Sequence, residues 1–164
     1  MSALCQADPA ADLWSVAEYL GRRAQLSPIQ RIQLEESDII SFHDYSDPAR
    51  FEERVLSLKR FGRPILCMEY MARGNGSTFE GSLPIARKHR VAAYNWGLVK
   101  GKTQTHLPWD SWLQPYVNGR EPSVWFHEVF HENGEPYRSA ETELIRKLTS
   151  EENGAARQAG RARH

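Results

Sequence analysis

Residues 63–77 read RPILCMEYMARGNGS: an apolar run built to be buried ends on a carboxylate, Glu69, and a glycine-rich loop follows. A charge at the end of a buried strand costs free energy unless it is paired or used, so Glu69 needs a chemical reason to be there. Two similar runs flank this one. DIISFHDY, residues 38–45, is β-branched and aromatic with little polar alternation before His43, which predicts a strand buried on both faces of a parallel sheet. VAAYNWGLV, residues 91–99, predicts the third strand.

Helical signals fill the gaps between these runs. SPIQRIQLEES offers Ser27 as N-cap and Pro28 at the first helical position, so a short helix precedes the first strand. Asp47 and Pro48 start the next helix, Phe51, Val55 and Leu58 mark its buried stripe, and Gly62 stands where a C′ glycine would. Ser77 with Glu80 three residues later matches a capping box, predicting a helix over 78–90. Alternation of strand and helix with short connections implies right-handed crossovers and an α/β fold with a parallel sheet.

Outside this core the pattern loosens. Leu13, Val16, Ala17 and Leu20 are helically spaced, predicting an amphipathic helix over 12–23. GKTQTHLPWDSWLQPYVNGREP, residues 101–122, is a long loop whose tryptophans argue against disorder. A helix over 122–130, a turn at ENGEPY and a helix over 140–148 are expected next, with 150–164 as a frayed, disordered tail.

The totals limit the function classes. At 164 residues the chain has the length of one domain. Lysine plus arginine equals aspartate plus glutamate at 21 each, which gives no electrostatic footprint for nucleic acid or an acidic membrane surface. Two cysteines are too few for a disulfide framework, and Cys67 reads as a small buried thiol. No stretch reads as a membrane span or a secretory signal, so a cytoplasmic setting is expected.

Three constellations carry possible chemistry. GLVKGKT lacks P-loop spacing, because Gly97 and Gly101 enclose only Leu98, Val99 and Lys100, and no helix follows to present amides to a phosphate. HEVFH places His127, Glu128 and His131 in the H-E-x-x-H order of zinc peptidases, which on a helix sets two imidazoles one turn apart. Tyr137 stands where the extended form of that motif has its third ligand, and catalytic zinc normally takes three protein ligands. An amphipathic helix with Val124, Trp125 and Val129 inward is the favoured account, and no metal or cofactor is called for. The third constellation lies at the C-terminal ends of the three strands: His43 and Tyr45, Glu69 and Tyr70, Asn95 and Trp96. Functional groups gather at that edge of parallel α/β sheets. A carboxylate flanked by imidazole, phenol and indole has the composition of a sugar subsite, where indole faces stack on pyranose rings and the carboxylate meets an oxocarbenium-like centre.

DIISFHDY, GRPILCMEYMARGNGSTFEG, VAAYNWGLVKGKTQTHLPWDSW and PSVWFHEVFHENGEPYR, in that order, closely resemble the C-terminal portion of bacterial cellulase-like glycoside hydrolases of clan A, (β/α)8 barrels related to glycoside hydrolase family 5. The likeness covers about residues 26–149; residues 1–25 are unlike the family. It implies a partial TIM barrel holding strands six to eight. Glu69 matches the nucleophile, His43 and Tyr45 the strand-six pair that contacts sugar and orients it, and Trp96 the aromatic beneath the −1 sugar; Trp109 joins them as a substrate-binding candidate. A β-glycoside is the implied substrate. The resemblance departs in one respect: a retaining glycosidase needs a second carboxyl group about 5 Å away, the family takes it from an Asn-Glu on strand four, and no such motif precedes His43. A whole barrel also takes about 250 residues. The chain therefore reads as a half-enzyme, inactive alone, that self-associates or meets a separate N-terminal half.

Overall fold

A computed structural model describes residues 28–161; the amphipathic helix expected over 12–23, Cys5 and the Ser27 cap lie outside the described residues. In order, the elements are α1 (Pro28–Glu36), β1 (Ile40–His43), α2 (Pro48–Lys59), β2 (Ile65–Glu69), a short 3-10 turn (Arg73–Asn75), α3 (Phe79–His89), β3 (Ala92–Ala93) and α4 (Ser139–Arg161). The strands form one parallel sheet in the order β1-β2-β3. The protein is thus α/β, with a three-stranded parallel sheet alternating with helices.

The local signals act largely as expected. The Asp47 side chain accepts hydrogen bonds from the Ala49 and Arg50 amides and so satisfies two orphan donors of α2, whose buried stripe is Phe51, Val55 and Leu58. Gly62 takes φ +64°, and its amide bonds the Lys59 carbonyl to end the helix. At α3 the cap is Thr78, whose hydroxyl accepts from the Gly81 amide. Ser77 is instead buried, and its hydroxyl donates to the Tyr70 carbonyl, tying the glycine-rich loop back to the end of β2.

The core lies on one side of the sheet, where Ile40, Phe42, Ile65, Cys67 and Val91 meet Phe51, Val55, Leu58, Phe79 and Ala86 from the helices. Burial pushes the Cys67 thiol well above its ordinary range, as for an inert core thiol. Ser41, Leu66 and Ala92 form the row on the other side, and Ser41, Met68, Ala92 and Tyr94 are exposed there. The expectation of a first strand buried on both faces is therefore corrected: no described element covers the second face.

Three further expectations change. The third strand, expected over 91–99, is confined to Ala92–Ala93. Residues 122–138 form no helix; they run through turns and isolated bridges, with Phe130 paired to Val99 and to Pro136 around a turn at Gly134. Trp125 to Val129 are consecutively buried, a pattern an amphipathic helix cannot produce. The last helix, expected to stop near Leu148, continues to Arg161, past the point where a frayed tail was predicted. Among the described residues no helix is long and apolar enough to cross a membrane.

Candidate functional site

A shift in strand register builds the site. Ile40, Ser41 and Phe42 pair with Ile65, Leu66 and Cys67, but His43 then pairs with Glu69, skipping Met68. Such a bulge re-aims side chains at the end of a ladder, and here it brings the imidazole and the carboxylate level with each other. The Asp44 amide bonds the Glu69 carbonyl at 2.9 Å and fixes the junction.

Tyr45 and His43 both address one oxygen of Glu69. The Tyr45 hydroxyl donates to Oε2 at 2.6 Å, and His43 Nδ1 lies 3.2 Å from the same atom, with the carboxylate side chain 18% exposed. No described residue hydrogen-bonds Oε1. The two oxygens thus differ: Oε2 takes both contacts, and Oε1 has no hydrogen-bond partner among the described residues. Burial, reinforced by the bond to Glu69, pushes the Tyr45 hydroxyl far up, so it remains a donor throughout the neutral range.

An aromatic wall adjoins this pair. Trp109 meets the Tyr45 ring edge-on at 4.9 Å and packs on Phe126 at 5.5 Å. Its indole N–H donates to His127 Nε2 at 3.0 Å. An indole nitrogen only donates, so Nε2 must be the acceptor, and Nδ1 carries the proton that it gives to the Met71 carbonyl at 2.6 Å. Burial lowers the His127 pKa, in keeping with this neutral tautomer. Trp109 is thereby held by the segment that the sequence offered as a zinc motif.

The structure brings His43, Tyr45, Glu69 and Trp109 into one group. Trp96 makes no ring or hydrogen-bond contact with any of them; it is 58% exposed and borders a depression of about 510 Å³ with Gly97, Leu98 and Thr105. Sequence reasoning missed His127 and Phe126 as parts of the wall. The signal available was the density of apolar and aromatic residues on both sides of His127 and Glu128, Val124 to Phe126 and Val129 to Phe130, which fills every face of a helix rather than one.

The zinc arrangement lacks its helix. His127 has both ring nitrogens engaged, Glu128 is fully buried and accepts from the Thr105 hydroxyl at 2.5 Å, and His131 packs on Trp125 at 4.5 Å. Among the described residues no three His, Cys, Asp or Glu side chains converge as a metal site.

No protein-family model matches the chain, and no match was found among curated proteins or solved structures.

Proposed function

We propose that this chain is the nucleophile-bearing part of a retaining glycoside hydrolase, its three β/α units corresponding to strands six to eight of a (β/α)8 barrel. The observation that carries the reading is the Glu69 carboxylate, with Oε2 engaged by Tyr45 and His43, Oε1 without a hydrogen-bond partner among the described residues, and Trp109 packed on Tyr45. The parallel strand order and the position of this group at the C-terminal end of the sheet agree with it.

In the reaction, Glu69 Oε1 attacks the anomeric carbon of a β-glycoside, the bond to the leaving-group oxygen breaks, and a glycosyl ester forms on Glu69. Tyr45 and His43 keep the carboxylate in line, and Trp109 or Trp96 offers an indole face to the sugar. A second carboxyl group must protonate an unactivated leaving group and then deprotonate the water that cleaves the ester. On this reading the acid/base is supplied from outside the described residues, a complementary half of the enzyme being the source the resemblance implies.

Activated fluorosugar glycosides with a dinitrophenolate leaving group test this, because that leaving group needs no protonation. Across a panel of gluco-, manno- and xylo-configured reagents, one should add a single sugar to the peptide containing Glu69, leave Glu69→Gln unlabelled, and accompany negligible turnover of alkyl glycosides. Absence of label from every reagent, or label on another residue, would sink the proposal.

A further inference from the structure

A cavity of about 750 Å³ opens between α3, α4 and β3, with Leu83, Val91, Phe130, Ile145 and Leu148 among its walls and without Glu69 in its lining. That size lies within the roughly 300–1,000 Å³ of small-molecule sites, which are mostly apolar with a few polar groups that fix orientation. Among the described residues, the side chains that line it with charge are three arginines, Arg87, Arg90 and Arg146, and no described aspartate or glutamate does.

The arginines differ in what occupies them. Arg87 donates to the Leu148 carbonyl at 2.6 Å and is engaged in holding α4 to α3. Arg90 and Arg146 are exposed, and no carboxylate among the described residues lies within salt-bridge distance of either. Arg90 also occupies the left-handed cap of α3, at φ +56° and ψ +46°. Glycine or asparagine is cheaper there, so the chain accepts backbone strain and keeps a guanidinium beside the cavity. The α3 dipole accounts for a cation at that helix end. It does not account for Arg146, which projects from within α4.

We propose that this cavity binds a single-chain amphipathic carboxylate, with its apolar body against the α3 and α4 walls and its head group on the guanidinium groups of Arg90 and Arg146. The apolar lining excludes a sugar or a nucleotide as the body of the ligand, and the one-signed charge around the opening selects an anion over a neutral or cationic amphiphile. This site is separate from the carbohydrate reading and does not depend on it.

Calorimetric titration of the full chain with decanoate, decanol and decyltrimethylammonium compares head groups on one apolar body. Decanoate should bind once per chain, with decanol about tenfold weaker or worse and the ammonium weaker still, as expected for loss of charge-assisted hydrogen bonds. Arg90→Asn combined with Arg146→Gln, which keeps a residue tolerant of the left-handed cap, should bring decanoate down to the decanol level. Equal binding of the three ligands, or no saturable decanoate binding, would overturn the site. So would decanoate binding that survives in the double variant, since it would then lie elsewhere, for instance on the open sheet face. If the double variant does not fold, the head-group comparison on the unaltered chain decides alone.

Discussion

At the scale of single residues, the Tyr45 hydroxyl reaches Glu69 Oε2 at 2.6 Å and stays protonated because its burial opposes ionisation. A hydrogen bond to a charged partner is worth about 1.5–3 kcal/mol. Tyr45→Phe should therefore slow labelling of Glu69 by an activated fluorosugar about tenfold to a hundredfold at a temperature where the variant is still folded; an unaltered labelling rate would remove Tyr45 from the orienting group. His127 acts on the other side of the site, where its neutral ring accepts from Trp109 and donates to Met71. A second proton would set two donors against each other at Nε2. Its folded pKa is lowered, first by burial, so below the ordinary histidine value near 6.5 the unfolded chain takes up a proton that the folded chain refuses. Stability should be fully present above that pH, fall as the pH drops toward the lower folded pKa, and flatten beneath it, with a slope of at most about 1.4 kcal/mol per pH unit from this residue. His106 is shifted in the same direction by burial and adds to the trend. Urea titrations between pH 7 and pH 5 should show a shallower dependence for His127→Phe than for the unaltered chain. Parallel curves would mean that His127 titrates normally.

At the scale of elements, the loop after β2 and the helix α4 are joined by the Arg73–Glu141 pair, with Nε to Oε1 at 2.7 Å and Nη2 to Oε2 at 2.5 Å. Both side chains are essentially unexposed, and Arg73 Nη1 also donates to the Trp125 carbonyl at 3.1 Å. Removing one partner of such a pair leaves a buried charge uncompensated. Glu141→Gln should cost about 3–5 kcal/mol of unfolding free energy in urea, and Arg73→Met with Glu141→Leu should recover much of it; a single variant as stable as the parent would show that water reaches the guanidinium. Their pairing is not legible in the sequence, since two charges 68 positions apart carry no periodic signal. The same contrast separates what was legible from what was not. The Asp47 cap, the Phe51, Val55 and Leu58 stripe and the ILCME strand are written in local period and end chemistry, and each appears where expected. Residues 125–129 are buried one after another, so their burial follows tertiary contacts and the apparent helical stripe around them is accidental. His43, Tyr45 and Glu69 were legible as a group because the C-terminal ends of parallel strands converge, whereas the His127 bond to Trp109 joins two irregular segments that no spacing rule relates.

At the scale of the whole molecule, the described residues cover the sheet on one side only. Helices cover Ile40, Phe42, Ile65 and Cys67, while Met68 and Tyr94 stand exposed on the opposite face and Ile39 is exposed just before β1. β1 and β3 are the outer strands of the sheet, and unpaired strand edges beside an apolar face favour association. On the proposed reading, an intact barrel would close this face, and a second copy or a complementary half would find it open. In isolation the best available partner is another copy of the chain. Sedimentation velocity over a wide concentration range should therefore show reversible growth in mass, whatever the fate of Glu69 as a nucleophile. Met68→Lys and Tyr94→Lys place charge on the open face without touching the covered core. Because burying one large apolar side chain is worth about 1.5–3 kcal/mol, each should weaken association by about tenfold or more. A complementary half-barrel occupying the same face would compete with self-association, so adding it should return the mass to that of a one-to-one complex and, by supplying the second carboxyl group, bring on hydrolysis of unactivated glycosides. A chain that stays monomeric at every concentration, or one whose association ignores both lysines, would show that the open face needs no partner.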